Sequence, residues 1–241
     1  NSKGIDFTMY INYKPLAVFL RMIIAMGGTL LLLARLQIFT GNFQVKQVGL
    51  FSTIMLFVAV VYYFVLSFWQ INNTKKDKTC IAPWLKGTIL LSFIGICAVD
   101  HFLINGNAIP NWQRYFVTNM ITYVMPAVLL LDYLLFKKKG NFKLFFPFIW
   151  LIPEILYTVY VYVVVLVLVG KLKLFTQYPY PFEKAYPYTF YDVVANGTVN
   201  TVATLLMIFV CFVAIGFMLF LLDLIPVKLK DSLAKKKSDS E

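Results

Sequence analysis

Six long apolar segments fill this chain between Leu16 and Pro226, and ionisable side chains lie inside those segments instead of beside them. A bilayer's hydrocarbon core, about 30 Å thick, takes about 20 apolar helical residues to cross. The windows 16–36, 48–71, 84–104, 115–136, 144–170 and 199–225 meet that length. Helices are the expected form, because a helix satisfies its own backbone hydrogen bonds and an open strand in lipid does not. A barrel would show alternation of apolar and polar residues, which the unbroken run 163–169 lacks. A chain that is 60% hydrophobic and only 14% charged also cannot clothe a water-soluble surface. The expected fold is therefore all-α, a polytopic bundle of six transmembrane helices.

The formal net charge of +11 invites a nucleic-acid reading, but the arrangement of the charges opposes it. The lysine-rich runs at 75–78, 137–139 and 235–237, with Lys3, Lys14 and Lys86, fall at the helix ends that six crossings place together. The opposite ends carry only Lys46, Arg114, Lys171, Lys173 and Lys184. The positive-inside rule then puts both termini in the cytoplasm, with anionic headgroups as a secondary contact for the basic side. This divides the chain into an N-terminal cytoplasmic segment (1–15), the six-helix domain (16–226) and a basic cytoplasmic tail (227–241). The first window is full length and another span follows it, so a cleavable signal peptide is not expected. Cys80, Cys97 and Cys211 are odd in number and two lie in predicted helices, so neither a disulfide framework nor a metal site is expected, and no cofactor is implied.

The connections are short except the one at 171–198, which holds Tyr178-Pro179-Tyr180-Pro181 and Tyr186-Pro187-Tyr188. Proline removes backbone donors and favours extended geometry, while tyrosine suits a membrane interface. Two readings stand: an aromatic belt anchoring the outer rim, or a folded cap over a cavity, which the loop's length suits.

Charges inside a bilayer are costly and mark either packing or function. At a rise of about 1.5 Å per residue they sort into two layers. Toward the outer face come Arg35, Ser52 and Thr53, Asp100 and His101, and Thr122. Toward the inner face come Arg21, Asp132 and Asp223, with Glu154 deeper in the fifth window, behind the helix-distorting Pro153. Arg21 is expected to pair with Asp132 or Asp223. Asp100 and His101 are adjacent, so on a helix they point about 100° apart and cannot share one target. One is expected to orient Arg35 or Arg114 while the other faces the cavity.

The run from Asn119 to Phe136, which includes Pro126 and Asp132, resembles the central signature of the bacterial Pr-six-Pr branch of the androgen-induced, FAR-type membrane protein superfamily. The Tyr-Pro-Tyr segments and the acidic Asp192 that follows them resemble the same branch's aromatic loop. The resemblance runs from the second window to the sixth. It implies a six-helix integral membrane protein, here of a bacterial plasma membrane. It also implies a scaffold shared with animal hydrolases of fatty acid esters of hydroxy fatty acids, which use a threonine and a histidine. The threonine position corresponds best to Ser52, with Thr53 beside it, while Thr122 stands where the branch usually has histidine.

Three functions follow from these residues. The first is an outer-leaflet pocket that binds a membrane lipid, or another membrane protein, through Arg35, Asp100, Arg114, Thr122, Tyr180 and Tyr188. The second is a lipid-ester hydrolase with Ser52 or Thr53 as nucleophile and His101 as base, since a hydroxyl needs a base to take its proton. The third is a transporter that uses Arg21, Asp132, Glu154 and Asp223 as a polar path.

Overall fold

A computed structural model describes residues 13–73, 80–104, 111, 115–163 and 187–238, with side chains throughout except at 45, 46, 229–231 and 233–238. Among the described residues the regular structure is all helical. Five helices are long and apolar enough to cross a membrane: α1 (Lys14–Arg35), α2 (Phe51–Asn72), α3 (Pro83–Ile104), α4 (Phe116–Phe136) and α6, whose apolar stretch is Thr198–Lys228. Between the last two lies a shorter apolar helix, α5 (Phe146–Tyr162). The fifth window of the sequence reading, 144–170, runs beyond the described residues, as do Arg114 and Tyr180.

Neighbouring helices alternate in direction, and pairs of contacts fix this. Arg21 meets Gln70 while Arg35 meets Thr53, so α1 and α2 are antiparallel. Arg21 also meets Asp132, and Arg35 meets Thr118, so α4 is antiparallel to α1. Trp150 lies over Gly87 and Glu154 meets Ser92, so α5 runs parallel to α3. Phe212 sits on Gly95 near the middle of α3.

Proline sets the local irregularities. Pro126 has no N–H for the carbonyl of Thr122, four residues back, and its ring crowds it. The helix answers with a π-turn over Met120–Val124 before regular geometry resumes at Met125. A second π-turn, Asp100–Ile104, ends α3. In α5 the helix is interrupted between Ile149 and Ile152, immediately before Pro153, as the sequence leads one to expect. Helix α6 continues through Pro226 to Ser238, so the basic stretch after the apolar window is helical. The carbonyl of Asp223, three residues before that proline, accepts the N–H of Gly140 from the α4–α5 connection.

The core is filled by aromatic and aliphatic side chains of α2, α3, α4 and α5, among them Tyr63, Leu66, Phe93, Tyr133 and Trp150. Helix α6 is a peripheral partner: 17% of its apolar window is buried, against 61% for α2.

Candidate functional site

The two polar layers become two separate constructions. The first is solid. The Arg21 guanidinium donates from Nε to Asp132 at 2.9 Å and from Nη1 to Gln70 at 2.5 Å, with Phe136 O at 3.4 Å. Asp132 also takes the Tyr63 hydroxyl at 3.0 Å and lies 2.5 Å from the Lys86 ammonium. Arg21 and Asp132 are fully buried and Lys86 is 2% exposed, so two cations share one carboxylate inside the bundle. Asp223 does not join them. It accepts from Lys137 at 2.8 Å, from the Phe142 N–H at 2.8 Å and from the Tyr133 hydroxyl at 3.3 Å. The Lys137 ammonium lies 3.0 Å from the Phe142 ring centre, and Tyr133 stacks on that same ring. Of the two partners open to Arg21 in the sequence, the structure selects Asp132. Lys86 and Lys137, which read as topology signals at the window ends, are buried ion-pair partners.

Lys137 and Lys139 lie beyond the end of α4. Burial pulls both ammonium groups down to about 8, with Asp223 partly opposing the fall.

The second construction is hollow. A cavity of about 110 Å³ lies toward the other end of the bundle, with Arg35, Ser52, Asp100, Thr122, Glu154 and Tyr188 all in its lining. Glu154 thus belongs here, with the residues of the outer layer, and not with the inner ion pairs. Its Oε1 accepts the Ser92 hydroxyl at 2.6 Å, while its buried Oε2 has no hydrogen-bond partner. Trp150 lies in the space a Cβ on Gly87 would fill, which seats α5 closely on α3, one turn before Glu154.

Arg35 reaches the cavity from the last turn of α1. Its Nε donates to Thr53 at 3.1 Å and its Nη1 to Thr118 at 3.5 Å, so two neutral hydroxyls hold it. Among the described residues no carboxylate comes within salt-bridge distance of Arg35, although Asp100 acts on it through space. A guanidinium has five N–H donors, so donors remain for a further acceptor. Thr53 supports Arg35 and is not itself in the lining.

Within the π-turn Asp100–Ile104 the adjacent Asp100 and His101 face different neighbours. Asp100 faces the cavity; His101 is absent from its lining, and its ring packs edge-on against Phe102 and Tyr123, with Nδ1 3.4 Å from the Tyr123 hydroxyl. Two π-turns border one cavity, since the other presents Thr122.

An aromatic wall closes one side. Tyr188, Phe190 and Tyr191 line the cavity, Tyr188 stacked on Phe190 with ring centres 5.3 Å apart. Asp192 accepts the N–H groups of Val194 and Ala195 and so caps the short helix Val193–Asn196 that sets this segment in place. Burial pushes the Tyr188 phenol up, partly offset by Arg35 and Ser52, and pushes Tyr191 up to about 12. Both are neutral hydrogen-bonding groups at physiological pH. Sequence reasoning missed Tyr157, Thr158 and Tyr191. Tyr157 donates to the Gly49 carbonyl at 3.0 Å, and Thr158 is 3.1 Å from the Tyr191 hydroxyl.

The rest of the lining is hydrocarbon, supplied largely by α3 and α6 through residues such as Ile96, Val99, Leu205, Phe209 and Phe212. The arrangement offers one cation, two carboxyl groups (Asp100 and Glu154), several hydroxyls and an apolar wall. No group of three or more metal-ligating side chains occurs among the described residues. Comparison of the chain with protein-family models, curated proteins and solved structures finds no match.

Proposed function

We propose that this chain is a six-span integral membrane protein, its two termini on the cytoplasmic side, whose outer-leaflet cavity binds an anionic amphiphile. The head of the ligand sits at Arg35 and its acyl chain lies along the α3–α6 wall. The observation that carries this reading is the state of Arg35. It is a half-buried cation, braced by two uncharged hydroxyls, with donors to spare at the edge of a mostly apolar hollow. A guanidinium so placed pairs well with a planar carboxylate, which accepts two parallel N–H bonds. Asp100 in the same lining opposes a second negative charge, so a carboxylate monoanion is favoured over a phosphate dianion.

Hydrolysis draws less support. Ser52 lines the cavity, but the imidazole that would take its proton is turned toward Phe102 and Tyr123. Transport draws no observation of its own: Arg21, Asp132 and Asp223 are locked in buried ion pairs, while Glu154 lies in the outer cavity.

The test is equilibrium binding of radiolabelled palmitate to the protein in lipid nanodiscs, with hexadecanol and hexadecyl phosphate as competitors. Saturable palmitate binding is expected, weakened about tenfold or more in Arg35→Gln by loss of a charge-assisted hydrogen bond. Hexadecanol competing as well as palmitate, or unchanged affinity in the variant, refutes the reading.

A further inference from the structure

A second cavity, of about 200 Å³, lies against the first along the α3–α6 seam. Its lining is apolar apart from the Cys211 thiol, and Val99, Ile208 and Phe212 belong to both cavities. In that lining Phe102 is 63% and Met207 53% exposed, at positions inside helices long and apolar enough to cross a membrane. The partition between the two hollows is therefore a few side chains thick.

Phe212 is the centre of that partition. Its ring occupies the space that a Cβ on Gly95 would fill, so the glycine is what allows the aromatic to lie between the helices. The ring makes no hydrogen bond and can swing without leaving a polar group unsatisfied. Helix α6, which carries it, is also the least buried of the long helices.

We propose that the α3–α6 seam is a lateral port for one acyl chain of a membrane amphiphile. The chain enters from the bilayer past Phe212, and its methyl end remains in the second cavity once the carboxylate has reached Arg35. The inference rests on the reading of Arg35 above and extends it, by assigning the tail a site and the ligand a route. An acyl chain fits this site because the second cavity is apolar and lined by side chains exposed on the outside of the bundle, and because only the shared Val99, Ile208 and Phe212 stand between it and the cavity that holds the cation.

The experiment uses the full chain in proteoliposomes with two palmitate probes, one carrying a photoactivatable diazirine near the carboxylate and the other near the methyl end. Mass spectrometry of the peptides locates the adducts. The carboxylate-end probe is expected to label residues around Ser52 and Thr118, and the methyl-end probe Met207 and Cys211. Both labels should fall together, about tenfold, in Arg35→Gln. Phe212→Ala should speed labelling at Ser52 and Thr118, and this variant leaves the Thr53 and Thr118 hydroxyls that brace Arg35 unaltered. Labelling at Met207 and Cys211 that is unchanged in Arg35→Gln means ordinary surrounding lipid and overturns the port. A carboxylate-end adduct near Ser52 combined with a methyl-end adduct near Tyr157 places the tail elsewhere and also overturns it, while leaving the anion site standing. Unaltered labelling rates in Phe212→Ala remove the assigned route. If neither probe reaches the cavity, the underlying binding reading fails as well.

Discussion

Asp132 carries more of the molecule's electrostatics than any other side chain described. Among the described residues it is the one carboxylate within salt-bridge reach of Arg21 and Lys86, and all three are buried. Removing one partner of a buried pair typically costs about 3–5 kcal/mol, because the charge left behind has lost its compensation. Asp132→Ala strands two cations and is expected to cost at least that much, measured as unfolding free energy in detergent. Arg21→Met with Asp132→Leu should cost less than the sum of the single changes. At Lys137 and Lys139 the folded chain holds ammonium groups whose proton leaves near pH 8, against about 10.4 when unfolded. The unfolded state binds more protons between those values, so these two groups make stability rise with pH across that window, and below pH 8 their full cost is present. Carbon-13 titration of the lysine side chains should show two midpoints near 8 apart from the rest, absent in Lys137→Met and Lys139→Met. Arg35, Ser52, Asp100 and Thr122 were legible in the sequence as polar residues at matching depth in different windows. Lys86 and Lys137 were not, because a lysine at a window's end looks the same whether it turns outward to headgroups or inward to a carboxylate.

At the scale of elements, close approach between helices depends on missing side chains. Trp150 is fully buried with its ring against Gly87, in the space a Cβ would need, which seats α5 closely on α3, one turn before Glu154. Gly87→Ala is expected to cost about 1–3 kcal/mol from overpacking. Trp150→Ala in the same chain should remove most of that added cost, a coupling that thermal unfolding of the four proteins would measure. The helices themselves were legible from the length of the apolar runs, and the break before Pro153 from the chemistry of proline. The π-turns were not: Pro126 announces that a hydrogen bond is lost, but not whether the helix kinks or widens. Nor does a sequence say which of two adjacent residues faces inward. Asp100 lines the cavity and His101 packs against Tyr123, the divergence expected of neighbours on a helix, but only the packing of α3 decides which of the two faces in.

For the whole molecule, alternating helix directions divide the polar groups between a solid end and a hollow one. The solid end, with Arg21, Lys86, Asp132, Lys137 and Asp223, ties α1, α3, α4 and α6 together through three salt bridges. The hollow end gathers hydroxyls, one arginine and the carboxyls of Asp100 and Glu154 around space. In the proposed topology a membrane-impermeant maleimide applied from outside should modify Thr40→Cys and Val194→Cys in a background lacking Cys80, Cys97 and Cys211. Lys138→Cys should react only after the membrane is opened. External reaction at Lys138→Cys would invert the bundle and move the cavity to the inner leaflet. The division between the two ends was readable from depth along the windows; that one end encloses a void was not, because volume depends on how Phe212, Trp150 and Tyr188 pack and not on where they stand in the chain.

The most direct test of the anion site is native mass spectrometry of the protein purified from membranes, wild type beside Arg35→Gln. The wild-type protein should carry a bound single-chain carboxylate that is depleted about tenfold or more in the variant. A wild-type protein without bound amphiphile even after loading with palmitate, or the same lipid held equally by both proteins, would contradict the assignment of Arg35 as the site of the anionic head.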